Sequence, residues 1–137
     1  MRAAWPAIIA TTFLGLAGAA TQAQEVRLNA PDASDDLRAA LRAASLTISL
    51  TRDDEGAVAQ DYVAAARADY QRLLTGLYSE GYYGGAISIL IDGREASSIA
   101  PLDSPASVGV ITLNVDPGPR FTFGRAEVLP VPAGTNM

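Results

Sequence analysis

The sequence contains no cysteine and no histidine, and its ten basic residues are all arginine. Each absence closes a class of chemistry. Without Cys there is no disulfide, no thiolate nucleophile and no Cys-based zinc set. Without His there is no imidazole base, so no serine triad of the usual kind. Without Lys no phosphate loop of the G-x-x-x-x-G-K-[ST] type can form. Acidic residues outnumber basic ones by 15 to 10, and the arginines are dispersed. A basic stripe for nucleic acid is therefore missing, and no nucleic-acid partner is expected.

The N-terminus reads as an export signal. Arg2 and the terminal amine make a short positive region, and residues 7–16 (AIIATTFLGL) are an apolar run. Small residues follow, with cleavage expected after Ala23 and with Ala19 or Ala20 as alternatives. The run is short for a membrane span, and no basic cluster follows it. Processing there would leave a chain starting near Gln24, without the single Trp, Trp5.

The remaining chain alternates helix and strand signals. Residues 25–28 (EVRL) alternate charge and apolar, as a short strand does. Ser34 is placed to cap a helix, and Asp35 and Asp36 suit the positive end of its dipole. Leu37, Leu41, Ala44 and Ile48 continue at helical spacing, with a possible end near Ser45. The run TRDDEG (51–56) lacks the alternating ligands and distal Glu of a calcium loop, so it reads as a solvated loop. Residues 57–80 form the clearest element, a helix with Ala59, Val63, Ala66, Tyr70, Leu73, Leu74 and Leu77 on one stripe. Tyr62 and Tyr78 flank that stripe.

The handover that follows is SEGYYGG, residues 79–85. Gly81 stands where a left-handed residue ends a helix. Tyr82 or Tyr83 can fold back on the last turn, and Gly84 and Gly85 let the chain turn into the next strand. Residues 86–91 (AISILI) are strand-like, with Ile87, Ile89 and Ile91 on one face and Ser88 and Leu90 on the other. Asp92 and Gly93 end that strand, and 94–107 read as a Pro- and Ser-bearing connection. Residues 108–115 read as a central strand. Asp116, Pro117, Gly118 and Pro119 are a turn, and 120–128 (RFTFGRAEV) look like a further strand. The expected architecture is α+β in two layers, ordered β-α-α-β-β, with a three-stranded mixed sheet covered on one face by two helices.

No catalytic constellation emerges. GYYGG follows a helix, whereas a dinucleotide fingerprint follows a strand. G-x-S-x-G does not occur. We expect no catalytic residues, no cofactor and no metal. A different class of function stays open, a secreted ligand-binding or enzymatic fragment whose tyrosines at 62, 70, 78, 82 and 83 line a pocket.

A resemblance narrows the choice. The β-α-α-β-β order behind a signal, VRL at 26–28, YSEGYYGGAISI at 78–89 and VDPGPRFTFGRAEV at 115–128 together resemble the polypeptide-transport-associated (POTRA) domain. The details look most like the N-terminal POTRA domain of TamA-type proteins, in the BamA/TamA superfamily of outer-membrane barrel assembly proteins. A related domain of a cell-division or two-partner-secretion protein is a further alternative. The resemblance implies a signal peptide at 1–23, a POTRA-like domain at 24–117, and the first strand of a following, truncated domain at 118–137. It implies a periplasmic scaffold, part of an outer-membrane protein, that aids autotransporter assembly. The implied partners are unfolded outer-membrane barrel precursors, an inner-membrane partner protein, and adjacent POTRA domains with a C-terminal barrel. It also implies that 86–91 lie at a sheet edge, with Ile87, Ser88, Ile89 and Leu90 as the contact strip for added strands.

Overall fold

The computed structural model describes residues 24–53 and 56–127. The expected export signal at 1–23 and the tail at 128–137 lie outside these. In chain order the described elements are β1 (Glu25–Asn29), α1 (Asp35–Ala44), α2 (Leu46–Asp53), α3 (Ala59–Ser79), β2 (Ala86–Ile91), β3 (Arg94–Glu95) and β4 (Val110–Asp116). Two short 3-10 turns, Ala96–Ser98 and Pro101–Asp103, lie between β3 and β4.

The class is α+β, with a mixed sheet in the order β1-β4-β2-β3. Central β4 runs parallel to β1 and antiparallel to β2. Strand alternation sorts its two faces. Ile89, Ile91, Ile111, Leu113 and Val115 are buried on one face together with Leu37, Leu41, Leu73 and Leu77 of the helices. The other face carries Glu25, Arg27, Asn29, Thr112, Asn114 and Ser88, none of them buried.

Two counts differ from the expectation. A fourth strand exists because Asp92 and Gly93 do more than end β2. Both have positive φ, 47° and 83°, the combination of a two-residue hairpin turn. β3 therefore folds straight back, pairing Arg94 with Ile91 and Glu95 with Leu90. The Asp92 carboxylate then accepts the amides of Gly109 (3.0 Å) and Val110 (2.8 Å), which fastens the hairpin to the start of β4.

A third helix exists because the first one breaks at Ser45, where ψ is 121°. The cause is a side chain that nothing in the local sequence announces. Asp69, on α3, is fully buried. Its carboxylate accepts from Ser45 Oγ (2.6 Å), Leu46 N (2.7 Å) and Thr47 N (3.0 Å). The last two are the first amides of α2, which no residue of that helix can satisfy. Ser45 Oγ in turn accepts from Ile48 N (3.1 Å). A new helix thus starts where α1 stops, and it runs on through Thr51 and Asp53, which the sequence suggested as loop.

The first capping expectation holds: Ser34 Oγ accepts from Leu37 N at 3.2 Å. On α3 the buried stripe is wider than its periodicity implied. Tyr62, Ala65 and Asp69 are buried as well, while Tyr70 and Leu74 are only half-buried. The helix is contacted on one side by β2 and on another by α1 and α2, so more than a single stripe is enclosed.

Asp69→Ala would leave the Ser45 hydroxyl and the first two α2 amides without their acceptor inside the protein. The expected loss is about 3 kcal/mol of unfolding free energy, read from the shift in urea midpoint at unchanged m-value.

Candidate functional site

The junction between α3 and β2 ends the helix as its glycines suggested. Gly81 has φ 86°. Gly81 N donates to Tyr78 O (3.0 Å) and Tyr82 N donates to Leu77 O (2.9 Å), the paired bonds of a Schellman cap. Tyr82 packs on the core. Tyr83 turns outward onto Tyr78, ring centres 5.4 Å apart. Gly85 is needed for closeness: a Cβ there would sit 2.6 Å from Leu77 Cδ1 and 3.1 Å from Asp116 O. A Cβ at Gly84 would meet nothing within 4 Å. Pro117 is buried, and Gly118 N donates to Asp116 Oδ1 (3.0 Å), closing the turn after β4.

The chain after this turn does not pair as a strand. Residues 120–127 have no regular secondary structure, which corrects the strand reading for that stretch; Val128 lies outside the described residues. Among the described residues no neighbouring ladder is there for it to join. It lies against the end of α3 instead. Phe121 N donates to Gly81 O (2.8 Å), and Arg120 Nε donates to Glu80 O (3.0 Å). Phe121 meets Tyr83 edge-on at 5.9 Å.

The result is an open cleft of about 640 Å³ lined by Tyr78, Tyr83, Arg120, Phe121 and Phe123, among others. The five tyrosines therefore do not share a pocket. Tyr62 is buried and Tyr70 and Tyr82 are half-buried against the core, so only Tyr78 and Tyr83 reach the cleft. Phe121 and Phe123 complete it, and their strand-like alternation concealed that role. The Ser79 hydroxyl, which also lines it, donates to the carbonyls of Thr75 (3.1 Å) and Gly76 (2.9 Å). Among the described residues no cluster of three metal-ligating side chains occurs, and no helix is long and apolar enough to cross a membrane.

The expected contact strip lies next to the sheet edge, but most of that edge is occupied. Asp92 N donates to Val110 O (2.9 Å) across the β2–β4 ladder. By alternation, Ser88 and Leu90 direct their backbone groups to β4, while Ile87, Ile89 and Ile91 direct theirs outward. Ile91 is paired with Arg94 of β3. Ile89 is covered by side chains. Its amide donates to Glu95 Oε1 (3.1 Å), and the Tyr70 hydroxyl sits 3.4 Å from its carbonyl oxygen. The same carboxylate accepts from Ser88 Oγ (2.8 Å) and from the Tyr70 hydroxyl. Glu95 thus stands where the carbonyl of an added strand would stand. Of the strip, only Ile87 keeps its outward groups open.

Among the described residues the opposite edge has no such cover. Glu25 N donates to Gly109 O (3.0 Å), so Glu25, Arg27 and Asn29 direct their backbone groups to β4. Val26 and Leu28 direct theirs outward, and β1 is the last strand of the sheet. Their side chains pack partly against the core on the helix side. On the open face Arg27 Nε and Nη2 donate to the two carboxylate oxygens of Glu25 at 2.7 and 2.9 Å. Edge β1 was missed because the sequence shows a strand but not its place in the sheet.

Compared with models of protein families, with curated proteins and with solved structures, the chain has no match.

The bond from the Tyr70 hydroxyl, helped by Ser88 and the Ile89 amide, holds Glu95 below the ordinary carboxylate range against the opposing effect of burial. A depressed folded value means a contribution present above about pH 4.3, the ordinary Glu value, and lost as pH falls through the folded one. Glu95→Gln should therefore be less stable than the parent at pH 7. The gap in urea midpoint should narrow as the pH is lowered below about 4.3.

Proposed function

We propose that this chain is a non-catalytic periplasmic scaffold, a POTRA-like domain of an outer-membrane protein assembly factor that serves autotransporter-type clients. It engages unfolded barrel precursors or partner proteins by adding their extended segments to its sheet. The observation that carries the reading is the edge of β1, where, among the described residues, Val26 and Leu28 present backbone donors and acceptors with no strand beside them. Such an edge binds backbone rather than a particular sequence, which suits a domain that handles many clients. The order of strand, helices and strands around a central β4, together with the SEGYYGG handover, supports the POTRA-like assignment. The Ile87 end of β2 offers a second, shorter place for contact.

A photo-crosslinking residue in place of Asn29 tests the assignment. It should capture a urea-unfolded outer-membrane barrel precursor diluted into buffer, whereas the same residue at Asp103 should not. Val26→Pro removes an outward donor without touching the ladder to β4, and it should abolish capture. Equal capture at both positions, or capture indifferent to Val26→Pro in a folded variant, would sink the reading.

A second reading, binding of a small ligand, is favoured by one feature alone: the exposed aromatic cleft between the end of α3 and residues 120–124. Its check is Tyr83→Ala with Phe121→Ala. Precursor capture at β1 should survive that pair of changes, and loss of capture would move the contact to the cleft.

A further inference from the structure

We propose that a second copy of this chain is itself a strand partner at this edge, with β1 pairing antiparallel to β1 of the copy about a two-fold axis at Val26. The proposal rests on the reading that β1 accepts an added strand.

Only Gln24, Val26 and Leu28 can enter hydrogen-bonded pairs across the edge, because Glu25, Arg27 and Asn29 are committed to β4. An antiparallel two-fold within the strand must then be centred on Glu25, Val26, Arg27 or Leu28. Centring on Glu25 sets two carboxylates directly opposite each other, which is destabilising. Centring on Arg27 sets two guanidinium groups directly opposite each other, which is destabilising. Centring on Leu28 pairs Arg27 with the partner's Asn29, and runs Glu25 beyond the end of the strand against the partner's Pro31. Centring on Val26 pairs Glu25 with the partner's Arg27, and Arg27 with the partner's Glu25.

Side chains directly opposite in such a ladder lie about 4.5–5.5 Å apart at Cβ. Glu25 and Arg27 already lie on the same face and bond each other. In the pair they would form a ring of four alternating charges on the open face. On the other face Val26 meets the partner's Val26, and Leu28 meets the partner's Gln24. The two sheets become one, with the helices of both copies on the same side. Self-pairing and client binding then compete for one edge.

The test is charge reversal followed in sedimentation equilibrium. The purified chain should dimerise reversibly, less tightly at high salt. Arg27→Glu makes the facing charges all negative and Glu25→Arg makes them all positive. Each should weaken the dimer by about tenfold or more. Mixing the two single variants should restore association as a heterodimer, and the double variant Glu25→Arg/Arg27→Glu should restore the homodimer. Far-UV circular dichroism confirms that each variant is folded, and the mixture remains informative should the double variant misfold.

A parent chain that is monomeric at every concentration would overturn the proposal. So would a dimer indifferent to both single reversals, or one that neither the mixture nor the double variant restores. The broader reading is tested apart: a monomeric chain that still captures precursor through Asn29 removes self-pairing and leaves strand addition standing. A dimer that obeys the charge pattern but captures no precursor does the reverse.

Discussion

Asp69 sits with its carboxylate enclosed between α3 and the joint of the first two helices, and the helical layer depends on it. A buried carboxylate is costly unless its oxygens are fully engaged. Here three donors engage it, two of them the amides that begin α2. The arrangement is reciprocal: the charge is tolerated because a helix start needs an acceptor, and the helix starts there because the charge is in place. It also fixes direction. With its beginning tied to α3, α2 is held close to β1 and covers the helix-side face behind the bare edge. The packing of Val26 and Leu28 against the core is therefore linked, through α2, to a carboxylate on another helix.

The two ends of the sheet are treated differently by the sequence. On the β2 side, a two-residue hairpin supplies one backbone pair, and a side chain from β3 then continues the work of a strand. Glu95 gives its oxygens to an amide, a serine and a phenol that would otherwise face an open edge. Covering an edge with side chains is one way proteins suppress unwanted pairing. The β1 side has charges on its open face but, among the described residues, no strand over its backbone groups.

Much of the fold was legible from local patterns. Ser34 as a cap, Gly81 as a helix stop and the alternation in β2 and β4 depend on near neighbours in sequence, and they stand as read; the α3 stripe was read too narrow. The parts that were not legible depend on residues far apart. The end of α1 near Ser45 was among the readings, but the immediate start of α2 was not, because it depends on a side chain 24 positions on. β3 is only two residues long, below the length at which alternation can be seen. Phe121 and Phe123 alternate as strand residues do, yet their place is decided by the backbone bond to Gly81. At the candidate site, the residues at 87–90 were expected at an edge, whereas β2 lies between β4 and β3. Which edge lies bare could not be read, because pairing partners are a property of the sheet and not of the strand.

The plug at Ile89 has a consequence for assembly. A sheet with two open edges can add copies without limit, as fibres do. With Glu95 and Tyr70 closing one side, the described residues leave a single full-length edge per copy. Each joining event at β1 uses up the one full-length edge among the described residues and leaves only the short Ile87 end of β2, so association of this kind favours a pair over a polymer. If β1 accepts a strand as proposed, the short hairpin would thereby serve as a chain terminator, letting the domain keep one pairing edge without becoming a seed for aggregation.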